Sequence, residues 1–268
     1  MDLPPEARPM NDATNTASPL DLYLDLLKKS LTDTLFHAEP ELDQSDLRRT
    51  MLHVRHYVDG HAISMLPLGR LDQLQDCVID VVRRRVPGDL IEAGVWRGGA
   101  TILMRATLKA LGVTDRTVWV ADSFEGLPKP DAELFPLEAR AHRGPIIQTG
   151  FRNFAASLDE VKRNFRAYGL LDDQVRFLKG WFKDTLDGAP IRQIAVMRLD
   201  GDFYESTMDG LRGLYDRLSV GGYAIIDDYG EDAWTNCRKA VDDFRAERGI
   251  DDRMIPVDSK CYYWQRSR

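Results

Sequence analysis

A doubly wound α/β fold, a mostly parallel sheet with helices on both faces, is predicted by three observations. From Asp89 onward, short β-branched apolar runs alternate with segments of helical period, the pattern of successive βαβ units. Several runs stop on carboxylates: Val118-Trp119-Val120-Ala121 on Asp122, Ile194 to Leu199 on Asp200, and Tyr223-Ala224-Ile225-Ile226 on Asp227-Asp228. A glycine turn, Gly94-Val95-Trp96-Arg97-Gly98-Gly99, follows the first run directly. Ligands of open α/β sheets collect beyond the carboxyl ends of the strands, so these acids and glycines belong on one rim.

Length and composition set the bounds. A chain of 268 residues suffices for one large domain with an added N-terminal segment. A net charge of −7 gives no electrostatic reason to expect nucleic acid or an anionic membrane as partner. Cys77, Cys237 and Cys261 are odd in number and far apart, which fits reduced thiols in a cytoplasmic protein better than disulfides or a zinc site. No signal peptide is read at the N-terminus, and no apolar run approaches the about 20 residues of a membrane-spanning helix.

The elements follow in order. Residues 1–18, rich in Pro, Asn, Thr and Ala without period, are expected as a disordered tail. Residues 19–88 form an N-terminal helical segment with a flap. Its first helix starts at Pro19 and carries Leu20, Tyr23, Leu24, Leu27 and Leu31; its second, Arg70 to Val86, carries Leu71, Leu74, Val78, Val81 and Val82. These helices have more apolar positions than a tail needs, so they cover the sheet or pair subunits into a homo-oligomer. Between them His53, His56 and His61 share no fixed face and no accompanying carboxylate or cysteine pattern, and are read as solvated or locally packed.

Residues 89–268 form the α/β domain. Asp89 to Ala93 is its first strand, and Leu103, Met104, Ala106, Leu108 and Leu111 continue the helix after the glycine turn. The turn lacks the Gly-Lys-Ser/Thr of a P-loop and a clean Gly-x-Gly-x-x-Gly, yet its glycines let backbone approach a ligand at a helix N-terminus. Asp122, ending the second strand, suits the ribose hydroxyls of a nucleoside ligand, a geometry that NAD and S-adenosylmethionine share; the alternative is a turn or cap residue. Residues 125–156, with Pro128, Pro130, Pro136 and Pro145, are expected as a substrate lid holding a helical turn or two within Ala132 to Arg140. Helix resumes at Ser157, with capping-box spacing to Glu160, and Val175 to Trp181 is a third strand. Beyond the aspartate-rich strand come a helix from Ser206 to Leu218, a Gly221-Gly222 turn, the strand ending at Asp227-Asp228, and a helix from Ala233 to Arg248. Met254 to Val257 and Cys261 to Trp264 close the chain as a hairpin.

Four aspartates converging at neighbouring strand ends need an explanation. Two unit charges about 4 Å apart repel by roughly 4 kcal/mol at an effective dielectric near 20, so Asp200, Asp202, Asp227 and Asp228 imply raised pKa values or a bound cation. An all-oxygen set favours a hard ion, Mg²⁺ before Zn²⁺.

Four blocks, Leu90 to Gly99, Val120 to Gly126, Leu199 to Ser206 and Gly221 to Tyr229, in this order and spacing resemble the macrocin O-methyltransferase family, over about residues 51–265. The resemblance implies a class I S-adenosylmethionine-dependent, Rossmann-like methyltransferase fold. It also implies Mg²⁺-assisted methylation of a sugar hydroxyl on a glycosylated small molecule of the antibiotic type. It places the metal ligands on Asp200, Asp227 and Asp228 and the general base on Asp202. Cofactor contacts fall on Ser64 and Met65 of the flap, Glu92, Gly94, Asp122, Ser123, Gly180 and Trp181.

The chemistry is consistent: an alcohol is a poor nucleophile at neutral pH, so a carboxylate must take its proton while positive charge stabilises the oxygen. Gly201 permits a tight turn between Asp200 and Asp202, and Asp227 and Asp228 can reach one ion only if the strand stops before them. The rivals are a catechol-type or other small-molecule O-methyltransferase with the same metal, and an NAD-dependent sugar-modifying oxidoreductase. The latter would want a cleaner dinucleotide fingerprint and a Tyr/Lys or His relay. A non-catalytic nucleotide-binding module is a third alternative.

Overall fold

A computed structural model describes residues 17–37, 56–230 and 236–268. Seven strands form one sheet: β1 (Asp89–Ala93), β2 (Val118–Asp122), β3 (Val175–Lys179), β4 (Ile194–Leu199), β5 (Leu218–Ile226), β6 (Ile255–Pro256) and β7 (Tyr262–Gln265), in the order β3-β2-β1-β4-β5-β7-β6. The first five run parallel, and β7 is antiparallel to both neighbours, so the expected doubly wound sheet and terminal hairpin are present.

Alternation along the central strands divides the core in two. Leu90 and Val196 point to the face covered by α1 (Pro19–Leu31), α2 (Leu68–Arg83), α3 (Gly99–Ala110) and α5 (Leu158–Ala167). Ile91 and Met197 point to the face covered by α7 (Tyr204–Leu214) and α8 (Cys237–Arg248). Two further short helices are α4 (Pro136–His142) and α6 (Phe182–Thr185). α1 is set by a reciprocal capping box between Ser18 and Asp21 with Pro19 in its first turn, and it buries Leu24, Leu27 and Leu31. The N-terminal helices therefore cover the sheet. Among the described residues no helix is long and apolar enough to cross a membrane.

Three local expectations are corrected. β5 begins at Leu218, so Gly221-Gly222 is not a turn before the strand but an irregularity inside it. Ile194 pairs with Leu218, whereas Val196 pairs with Tyr223. Glycine is required there because a Cβ on Gly222 would lie 2.7 Å from the Ala195 carbonyl oxygen. The helix expected from Ser206 to Leu218 starts at Tyr204, yields to a 3₁₀ turn at Tyr215–Arg217, and so ends before that strand. Only half of the Ser157 capping box forms. Ser157 accepts the Glu160 N–H at 3.2 Å, but the Glu160 carboxylate turns to Arg97 at 3.1 Å.

The lid region contains α4, a π-helical turn at Ile146–Gly150 and a 3₁₀ turn at Arg152–Phe154. Its neck is closed where Leu127 N–H donates to Asn153 O (3.1 Å) and Asn153 Nδ2 to Leu127 O (3.2 Å). His56 Nε2 lies 3.0 Å from Thr32 O and His61 is exposed, which agrees with histidines that are packed or solvated. Residues 1–16 of the expected tail, His53 and the Ala233 start of the last helix lie outside the described residues.

Candidate active site

The carboxyl ends of β1, β2, β4 and β5 open into a cavity of about 1520 Å³. Its walls bring together Ser64, Met65, Glu92, Gly94, Asp122, Ser123, Trp181, Asp200, Asp202, Asp227 and Asp228. Of the residues singled out in the sequence, Gly180 does not line it; its N–H donates to Asp122 O at 2.9 Å and ties the end of β3 to β2. From the lid come Leu127, Ile146, Ile147, Phe151 and Phe154, an apolar wall facing the acidic one.

The glycine turn is shaped by close approach. Gly94 has φ +90, and a Cβ there would sit 1.8 Å from Asp200 O, so only glycine lets β1 lie against the β4 end. At Gly99 a Cβ would meet the Ser64 Cβ at 2.5 Å, and Gly99 N–H donates to Ile63 O at 3.1 Å, which seats the flap on the N-terminus of α3. Asp122 has a scaffolding role at this rim. It accepts the N–H groups of Val95 (2.8 Å), Trp96 (3.3 Å) and Phe124 (2.7 Å), which hold the turn open; burial raises its pKa against these bonds. Ser123 bridges Gly126 O and Glu125 N–H at the root of the lid.

The acidic wall divides into two. Ligand oxygens of Asp200, Asp202 and Asp228 lie within 4.8 Å of one another. Asp227, by contrast, accepts from Arg198 through Oδ1 and from Arg70 Nη1 (2.8 Å) through Oδ2. The sequence reading put Asp227 among the metal donors and Asp202 apart; in this geometry Asp202 joins the cluster and Asp227 faces arginines. β5 stops at Ile226, so both aspartates lie beyond the strand, which allows the neighbours to face one cavity. The sharp turn falls on Asp202 rather than Gly201. Asp202 has φ 55 and Phe203 N–H donates to Gly201 O at 2.6 Å, closing a γ-turn centred on the aspartate. A non-glycine residue in this conformation stores strain, a recurrent property of active sites.

Charge follows from burial and partners. Arg198, 2% exposed, donates to Glu92, Asp200 (3.0 Å) and Asp227. Arg70 clamps Asp258 through Nε (2.6 Å) and Nη2 (3.1 Å). Burial works against the Asp227 anion, but Arg198 and Arg70 more than offset it and hold its pKa below the ordinary value. Asp200 is pushed up to about 6 by burial and by Asp227. Asp228 lies well above the usual range because it is buried beside Asp202, Asp200 and Asp227. Glu92 is pushed up to about 8, chiefly by burial, against the Arg198 charge. Asp228 Oδ2 and Glu92 Oε2 are buried without a hydrogen-bond partner, so the wall holds unmet demand for positive charge.

Sequence reasoning missed Arg198, Arg70 and Glu138, a lid residue that touches the Asp202 loop. For Arg198 a signal existed: a cation inside one buried apolar strand and Glu92 inside another can be accommodated only as partners, and the two sit in register.

This strand order, with a glycine turn, a terminal acid on β2 and aspartates beyond β4 and β5, defines an enzyme of the class I methyltransferase fold. The structure of the O-methyltransferase NovP matches with a TM-score of 0.79 at 46% identity, covering 93% of this chain and 100% of that one. The calicheamicin methyltransferase CalS11 shares the fold at 19% identity, with a TM-score of 0.55 and 93% of each chain covered. The chain belongs to the macrocin-O-methyltransferase (TylF) family, whose model it matches over residues 57–266, and it is an O-methyltransferase. It is 48% identical over 259 residues to the Streptomyces olivaceus 8-demethyl-8-(2,3-dimethoxy-alpha-L-rhamnosyl)-tetracenomycin-C 4'-O-methyltransferase, covering 92% of this chain and 93% of the relative. It is 46% identical over 263 residues to demethyldecarbamoylnovobiocin O-methyltransferase of Streptomyces niveus, covering 96% and 97%.

Proposed function

We propose that this enzyme methylates a sugar hydroxyl of a glycosylated, antibiotic-type natural product, with S-adenosylmethionine as donor and Mg²⁺ as the assisting ion. The observation that carries the reading is the group of three carboxylates, Asp200, Asp202 and Asp228, within 4.8 Å of one another on the wall of a cavity that also holds the glycine turn. Pockets for one drug-sized ligand measure about 300–1,000 Å³, so a cavity of about 1520 Å³ has room for a donor beside a bulky acceptor. The apolar lid wall suits the aglycone of such a glycoside, and the rhamnosyl acceptor named for the Streptomyces olivaceus relative points the same way.

The donor set fits a hard cation: all oxygen, half-buried, and with Asp228 Oδ2 unpartnered. Asp200 and Asp228 would hold the ion, with Asp202 in the same group; Asp227, whose two oxygens accept from Arg198 and Arg70, stands apart from it. When bound, Mg²⁺ supplies positive charge to the acceptor oxygen and S-adenosylmethionine supplies an electrophilic methyl group. Asp202 takes the proton of the acceptor hydroxyl; Asp227, already neutralised by two guanidiniums, is the poorer base. Glu92 Oε2 receives the cationic amino-acid end of the donor, Asp122 its ribose, and Trp181 and Met65 its base and flap contacts. Ser64 seats that flap, and Ser123 and Gly180 hold the β2 and β3 ends that frame it.

Two acceptors test this directly: the rhamnosylated tetracenomycin and demethyldecarbamoylnovobiocin, each with S-adenosylmethionine, with and without Mg²⁺. Methyl transfer to either, abolished by chelation and by Asp202→Asn, is expected. Transfer to catechols and to neither glycoside would overturn the acceptor class.

A further inference from the structure

Glu138 lies in the lid, on α4, and is fully buried. Its Oε1 accepts three hydrogen bonds: Tyr204 N–H (3.0 Å), Asn236 N–H (2.7 Å) and Asn236 Nδ2 (3.2 Å). Tyr204 is the first residue of α7 and Asn236 the residue before α8. Neither helix is capped by a side chain of its own N-cap residue, Phe203 or Asn236. One lid carboxylate therefore satisfies exposed N–H groups at the start of both, where helix dipoles favour negative charge.

The rest of α4 docks on the same point. Phe135 stacks on Tyr204 at 4.8 Å, and His142, one helical turn after Glu138, meets the buried Phe203 edge-on at 6.2 Å. Asp131 N–H donates to Glu205 at 3.2 Å. Phe203 and Tyr204 immediately follow Asp202 and its strained γ-turn. The first N–H of α7 after this turn is taken by the lid. The next turn of the lid, through Ala141 and Gly144, lines the cavity.

We propose that Glu138 is a positioning residue that couples docking of the lid to the geometry of Asp202, so that the proton acceptor is in place only while the lid is seated. The inference rests on the reading of Asp202 as base. A purely structural lid anchor would act on acceptor binding alone, whereas coupling acts on turnover with both substrates saturating.

The test uses the full chain with S-adenosylmethionine and the two glycosides named above. Glu138→Ala is expected to lower kcat at least tenfold with the donor KM within twofold. Glu138→Gln, which keeps an acceptor oxygen for both amides, should recover most of the loss. Hydrogen exchange at the amides of residues 203–207 should accelerate at least tenfold in Glu138→Ala. A rise in acceptor KM with unchanged kcat, or unchanged exchange, overturns the proposal. If Glu138→Ala does not fold, Glu138→Asp replaces it: the shorter carboxylate should lose turnover while Glu138→Gln keeps it, and the reverse order overturns the proposal. If wild type methylates neither glycoside, the function reading fails on its own, and the exchange measurement still decides whether Glu138 fixes the turn.

Discussion

Arg198→Met probes the charge balance of the site most sharply. The substitution keeps an unbranched apolar stem in a strand that is buried throughout, but removes the cation that Glu92, Asp200 and Asp227 share. Breaking a buried ion pair from one side costs about 3–5 kcal/mol, because the abandoned charge stays in a low dielectric. At about 2–4 °C per kcal/mol for a chain of this size, the metal-free protein should melt roughly 10 °C lower near pH 8. The loss should depend on pH. Glu92 at about 8 and Asp200 at about 6 already have folded values above their unfolded ones, so stability falls as pH rises through those values. Removing the guanidinium raises both further, so the deficit against wild type should shrink towards pH 5.5, where protons replace the missing cation. Thermal unfolding by circular dichroism at pH 5.5, 7 and 8.5 in chelator reads this out. A loss below about 1 kcal/mol at pH 8.5, or one independent of pH, would refute the arginine-centred balance.

Gly94→Ala places a methyl where the nearest atom, Asp200 O, is 1.8 Å away, at a φ of +90. Left-handed strain of about 1–2 kcal/mol and overpacking of about 1–3 kcal/mol should together shift the denaturant midpoint strongly; a wild-type midpoint would contradict the close approach. Mg²⁺ binding should release protons, because Asp228 lies well above the usual carboxylate range and Asp200 at about 6. Calorimetry in buffers of different ionisation enthalpy at pH 6 should detect about one proton or more per ion and an affinity that rises towards pH 8, and binding without proton release would contradict those protonation states.

The sheet was legible because the rule that produces it is local. Leu90-Ile91 and Val196-Met197 alternate between two apolar faces, and each run ends where Gly94, Asp122, Asp200 or Asp227 breaks it. The cavity wall was legible for the same reason, since strand ends in a parallel sheet share one rim. Cross-strand and cross-segment partners were less so. That Asp227 turns to Arg70 depends on how α2 packs over the β5 end, a relation between residues 157 positions apart that no spacing rule encodes. Gly221-Gly222 reads as a turn in a one-dimensional pattern, and only the approach of Ala195 O makes it a bulge in a continuing strand. Asp202 offered no cue to its left-handed backbone, because Gly201 beside it is the residue expected to take that role. Glu138 stands in a proline-rich stretch of weak period, and its partners lie 66 and 98 positions away.

The Leu127–Asn153 neck makes the intervening stretch a cassette with a defined seam. Both hydrogen bonds at that seam involve main-chain atoms of Leu127, so its side chain is open to exchange, whereas position 153 must keep an amide. Transplanting residues 128–152 from a relative would thus swap Ile146, Ile147 and Phe151 of the apolar wall without cutting the sheet. The transplant inherits one obligation: an acid in the first turn of its helix, because the N-cap side chains of the recipient's seventh and eighth helices make no cap bond.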